Sequence, residues 1–174
     1  MSFCRRSSHQ DRRLREYRTL NKVPSVLIGS LFVVLGCISC GGVGGRTTEF
    51  SERDITKEKL QQFEKLMYLT FPASTRALNA AVESGGLDAS AYLKVEMDKQ
   101  DLEAFVKNSP FSSAYLRNDQ KGIINQRDLT WWNPEAVKTY RSGQVMLPSS
   151  DYLNILIDSD PEKKVVVYLL WFET

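Results

Sequence analysis

Trp131-Trp132-Asn133-Pro134 is the stretch of this chain with the most to offer a ligand. Neighbouring side chains of an extended segment point to opposite faces. One indole would then plug the core while the other lies exposed beside a polar loop. An exposed tryptophan can stack on a sugar ring or anchor a protein partner. Tyr140 and Arg141 follow within ten residues and complete a candidate binding set with Trp131 and Trp132, with Tyr115 as a further aromatic of the same region. The competing reading is that both indoles seal a sheet edge beneath a long loop, because large aromatics are highly buried on average.

The carboxylates offer less. Asp158-Ser159-Asp160 with Glu162 could gather oxygens around Ca²⁺, but calcium loops add glycine and further carboxylates at set spacing, where this chain has Pro161, Lys163 and Lys164. A solvated hairpin turn, with aspartate bonding its own backbone and proline fixing φ, accounts for the same residues. Glu96 with Asp98, or Asp101 with Glu103, could be drawn as an acid/base pair if their environments split their pKa values. They fit an exposed strand face and a first helical turn equally well. The single histidine, His9, lies near the amino terminus, which removes imidazole chemistry from the region that folds. Cys37 and Cys40 have Cys-x-x-Cys spacing but no second ligand pair. No nucleophile elbow or phosphate loop occurs. The expectation is a domain without catalytic residues, metal or cofactor.

Charge is unevenly placed. Residues 1–36 hold seven basic side chains and two acidic ones. From Cys37 onward 16 basic and 19 acidic residues remain of the chain's 23 and 21, a net charge of −3. The slight basicity of the whole belongs to its first segment, and the acidic remainder argues against nucleic acid as a partner.

That first segment has the layout of an export signal. Arg-rich residues 5–22 precede an apolar core from Val26 to Leu35. The core has the length of a signal h-region and falls short of the ~20 residues that span a bilayer. It runs into Val34-Leu35-Gly36-Cys37, which resembles the lipobox of bacterial lipoproteins. The resemblance implies cleavage before Cys37, diacylglycerol on its sulfur and a membrane lipid anchor on the extracytoplasmic face. The absence of an aspartate just after Cys37 resembles outer-membrane sorting, where the envelope has two membranes. The alternative is an uncleaved anchor over the 23 uncharged residues from Val23 to Gly45, with the same outward topology.

Glycines and small polar residues through Thr48 predict a flexible tether over residues 37–50, with one domain over 51–174. Thr56 suits a helix N-cap, Ile55 and Leu60 suit a hydrophobic staple, and Leu60, Phe63 and Met67 recur at helical spacing over residues 57–67. Strands are expected over 75–83, 92–97, 140–147, around Leu153, Ile155 and Ile157, and over 164–172. The strands at 92–97 and 153–158 alternate and predict one dry face each, whereas the last is apolar at both parities and predicts cover on both faces. Asp98 can cap a helix that buries Leu102, Phe105 and Val106. Residues 111–130 show no period and predict an irregular loop. The sum is an α+β domain, a mostly antiparallel sheet with helices packed on it.

From Phe71 onward the chain is similar to uncharacterised bacterial lipoproteins, through Phe71-Pro72-Ala73-Ser74, Tyr92–Met97, Trp131–Pro134 and Leu153–Asp158. The functional expectation is a lipid-anchored envelope protein with a non-catalytic binding domain and an envelope protein or glycan as partner. The alternatives are a carboxylate hydrolase of wall glycans and a structural subunit of an envelope complex.

Overall fold

The computed structural model describes residues 45–85, 88–111, 115–124, 128–160 and 164–174. The expected export signal with Cys37 and Cys40, and residues 161–163, where part of a turn is expected, lie outside the described residues. The domain is α+β, built on one six-stranded sheet in which every neighbouring pair is antiparallel.

The chain enters the sheet at β1 (Arg46–Ser51), passes through α1 (Lys57–Met67), and continues as β2 (Arg76–Ser84) and β3 (Ser90–Asp98). A short helix α2 (Leu102–Lys107) follows. After a long irregular stretch come β4 (Tyr140–Met146), β5 (Tyr152–Asp158) and β6 (Lys164–Phe172). The spatial order is β1-β2-β3-β6-β5-β4. Two three-strand meanders therefore meet where β3 pairs with β6.

β1 corrects the expected tether. Arg46, Thr47 and Thr48 pair with Ser84, Glu83 and Val82, so the strand begins five residues before the expected domain boundary. Its side chains from Arg46 to Glu49 are exposed. Backbone pairing, not burial, holds them, and a polar exposed edge strand has no apolar period to read.

α1 forms where its signals place it. Thr56 Oγ1 accepts a hydrogen bond from the Lys59 N–H at 3.3 Å. Phe63 and Met67 are buried, and Ile55, Leu60 and Leu66 are half-buried against the same core. The helix stops at Tyr68, whose φ of 54° is left-handed. The Leu69 N–H then bonds back to the Glu64 carbonyl at 2.9 Å, and the Glu64 carboxylate accepts from the Phe71 N–H at 2.7 Å. Asp98 makes no side-chain cap for the turn leading into α2; instead its own N–H donates to Ser74 Oγ at 3.3 Å.

Side chains alternate across the sheet. On the first face, Leu93, Val95 and Met97 of β3, Leu153, Ile155 and Ile157 of β5, and Val165, Val167 and Leu169 of β6 share a core with residues of α1 and α2. On the second face, Tyr92, Leu156, Tyr168 and Leu170 form a separate core with Ile124, Leu129, Trp132 and Val137 from the irregular stretch. β3 and β5, expected to be dry on one face, are therefore covered on both. The expectation of two-sided cover for β6 holds.

The irregular stretch reaches the second face by passing round the outer edge of β4. Phe111 and Leu116 belong to the first-face core. Arg117 then bridges to Ser142 through two backbone hydrogen bonds, at 2.7 Å and 2.6 Å. Ile123 and Ile124, and then Leu129, Trp132 and Val137, lie on the second face. The contact needs a glycine in β4: a Cβ at Gly143 would stand 2.6 Å from the Tyr115 carbonyl oxygen. The wrap also shields one of the sheet's two edges from pairing with another chain.

Tyr68 is 47% exposed and holds a conformation that disfavours a Cβ. Tyr68→Gly should raise the unfolding free energy by about 0.5–1 kcal/mol, relief of strain exceeding glycine's extra unfolded entropy. Urea denaturation with an unchanged slope would measure it.

Candidate binding surface

The second face shows what the paired tryptophans do. Trp132 is 2% exposed. Its ring stands edge-on to Tyr92 at 5.2 Å and to Tyr168 at 5.3 Å, with Trp131 at 5.6 Å. Such edge-to-face pairs contribute about 0.5–1.5 kcal/mol each beyond area burial. Trp132 is therefore core and cannot present its indole to a partner, which corrects its place in the expected binding set. Trp131 is half-buried, and its indole N–H donates to Glu49 on β1 at 2.9 Å. That bond ties the cover to the exposed edge strand.

Asn133 completes the fastening. Its side-chain oxygen accepts from the Tyr168 hydroxyl and from the Lys94 ammonium, both at 3.0 Å. Lys94 also donates to the Trp131 carbonyl at 3.2 Å and lies 4.9 Å over the Tyr168 ring. Burial pulls the Lys94 pKa down, opposed by attraction to Asp158. Burial pushes the Tyr168 hydroxyl up to about 12, and the nearby Asp158 carboxylate adds to this. Both groups donate to the cover and hold it down.

Tyr140 shares the tryptophans' face, whereas Arg141 does not. Tyr140 packs half-buried against the second-face core, with the Lys121 ammonium 5.5 Å over its ring. Lys121 is itself fixed by the carbonyls of Glu135 and Val137. Arg141, next in the strand, points to the other face and pairs with Glu103 just after the start of α2 at 2.8 Å.

Of the carboxylates considered as acid/base pairs, Glu96, Asp101 and Glu103 are separately engaged. Glu96 accepts from Arg76 at 2.9 Å and Lys164 at 3.3 Å, Glu103 from Arg141, and Asp101 from the Ser74 hydroxyl. Asp158 accepts from the Asp160 N–H at 3.1 Å, the local bond a turn aspartate makes. Among the described residues no group of three or more histidine, cysteine, aspartate or glutamate side chains converges as a metal site would require.

Open polar space lies elsewhere, where the wrap rounds β4. A cleft of about 580 Å³ is lined by Tyr115, Arg117, Asp119, Gln120, Ile123 and Gln144. Tyr115 is 58% exposed and sits on Gly143. Arg117 is held in an isolated antiparallel bridge to Ser142, and Tyr115 and Asp119 flank it on either side. Among the described residues, the side chains of Tyr115, Arg117, Asp119 and Gln144 make no hydrogen bond or ion pair. The floor is firm, because buried Asn154 donates its amide to the Ile123 carbonyl. Sequence reasoning passed over Arg117, Asp119, Gln120 and Gln144. No local pattern marks the first three, because their segment is a single bridge between a 3-10 turn and a bend.

Trp132→Ala should cost about 3–5 kcal/mol in unfolding free energy, the range for emptying a large aromatic site. A buried indole requires that loss; a change under about 1 kcal/mol would contradict it. Alkaline pH gives a second check. A raised tyrosine pKa means that between about pH 10 and 12 the unfolded chain has released a proton the folded chain still holds. Stability therefore falls as pH rises through that window, by an amount on the order of 2–3 kcal/mol. Lys94, with its lowered pKa, acts in the opposite sense as its unfolded form approaches deprotonation. In Tyr168→Phe the fall should be smaller by roughly the tyrosine's share, as followed by denaturant midpoints from pH 9 to 12.

No known protein family matches this chain, and no curated protein or solved structure shows significant similarity to it.

Proposed function

We propose that this protein is held at the outer side of a membrane by lipid on Cys37 and that its α+β domain binds a partner without catalysis. The observation that carries the binding reading is the cleft beside β4. An exposed tyrosine, a guanidinium, a carboxylate and two amides gather there on a firmly held backbone. The support for the address is the sequence: a basic segment, an apolar core and Leu35-Gly36-Cys37 in succession. Arg46 opens β1 nine residues after Cys37. Nine residues of extended chain reach at most ~30 Å, so an anchored domain stays close to the bilayer surface.

Neither alternative gains an observation of its own. A glycan hydrolase working with carboxylates needs two of them across a cleft, and the lining here contains Asp119 as its one carboxylate. A structural subunit would be favoured by a broad apolar patch. The large apolar side chains exposed among the described residues are Tyr68, Tyr115 and Met146, from separate elements.

Two measurements test the proposal. Metabolic labelling with a fatty acid should mark the wild-type protein and not Cys37→Ser, and an unlabelled wild type would remove the anchor. Cross-linking in intact cells should capture a partner that is lost in Tyr115→Ala/Arg117→Ala while the melting temperature stays unchanged. An unaltered set of partners would remove the cleft.

A further inference from the structure

The geometry points to a neutral pyranose oligosaccharide as the ligand of the β4 cleft, an inference that rests on the binding reading above and gives its ligand a chemical class. A pyranose presents two kinds of surface. Its ring C–H groups make an apolar face that stacks on an aromatic ring, and its vicinal hydroxyls both donate and accept hydrogen bonds. The cleft offers the complement of each. Tyr115, 58% exposed as a residue, supplies the aromatic ring. Arg117 donates in a planar fork, Asp119 accepts, and the amides of Gln120 and Gln144 do both.

The charges in the lining select for neutrality. Arg117 and Asp119 cancel, so an anionic chain would meet the Asp119 carboxylate and a cationic one the Arg117 guanidinium. A ligand with hydroxyls and no net charge can use both.

Rigidity favours the same conclusion. Binding loses affinity to the ordering of loops and side chains, so a platform fixed in advance is worth more than the same residues on a free loop. Arg117 is locked to Ser142 through both its N–H and its carbonyl. Tyr115 precedes it by two residues and lies in close contact with Gly143, which leaves its backbone no room to settle closer. The cleft volume of about 580 Å³ falls within the range of small-ligand sites. It is open rather than enclosed, which suits a stretch of a glycan chain better than a buried monosaccharide.

The test uses the full chain in a polyoxyethylene detergent, which carries no sugar. Titration calorimetry is run with three neutral probes: β1,4-linked N-acetylglucosamine tetramer, cellotetraose and maltotetraose. A uronic-acid tetramer serves as the anionic comparison. At least one neutral tetrasaccharide should bind saturably and more tightly than the anionic one. Tyr115→Ala and Gln144→Ala should each weaken that binding about tenfold, whereas Tyr115→Phe, which keeps the ring, should change it little. Circular dichroism melts of the variants should match wild type, because the Tyr115 side chain is exposed and makes no described hydrogen bond. Failure of every neutral probe at millimolar concentration, preference for the anionic probe, or binding indifferent to Tyr115→Ala would each overturn the assignment. If the probes fail while cross-linked partners are still lost in Tyr115→Ala/Arg117→Ala, the glycan is wrong and the cleft stands. If both fail, the cleft falls as well.

Discussion

A central sheet that is apolar on both faces must be covered on both, and that requirement shapes the rest of this domain. β6 states it most plainly, with Val165, Val167, Leu169 and Trp171 on one side and Tyr168 and Leu170 on the other, all buried. The helices that could meet the demand are short: α1 has 11 residues and α2 has six. Both contribute to the first-face core. The second face is closed by irregular chain instead. Irregular chain is a poor cover, because its backbone polar groups lack the regular partners of a helix and must be satisfied one at a time.

The fastenings on the second face answer that difficulty. Lys94 and Tyr168 rise from adjacent central strands, at positions that pair in register, and converge on Asn133. Lys94 also takes up the Trp131 carbonyl, Lys121 those of Glu135 and Val137, and Asn154 that of Ile123. Each is a polar side chain meeting a backbone carbonyl that the loop cannot satisfy within itself. The apolar free energy of the cover is concentrated in Trp132, surrounded by three aromatic rings. Polar groups thus fix the path of the loop, and one large side chain supplies much of the burial that makes the path worth taking.

The sequence made some of this legible and hid the rest for identifiable reasons. α1 could be read because Thr56, Leu60, Phe63 and Met67 are local signals that tertiary contacts reinforce. β6 could be read because apolar residues at both parities have no other easy home. β3 and β5 looked half-exposed because Lys94 and Asn154 stand at positions where alternation predicts solvent. Both are drawn inward by carbonyls more than 30 residues away in sequence. β1 looked like a tether because nothing in Arg46-Thr47-Thr48-Glu49 is buried and its hold is the backbone of β2. The candidate cleft takes Tyr115 from the segment that the sequence singled out, but not its tryptophans. Trp132 carries the strongest chemical signal in the chain and uses it for packing, while Tyr115 and Arg117 sit in the stretch that shows no pattern.

That displacement follows from the architecture. A loop that must cross from one face of a sheet to the other has to turn round an edge, and at the edge it cannot bury what it carries. The segment over the first face gives up Phe111 and Leu116 to the core, and the segment over the second gives up Ile124, Leu129 and Trp132. Between them, the residues from Arg117 to Gln120 have no face to pack on. The Arg117–Ser142 bridge fixes their backbone without using their side chains. The crossing is therefore where this fold leaves polar side chains in the open beside a bridged backbone.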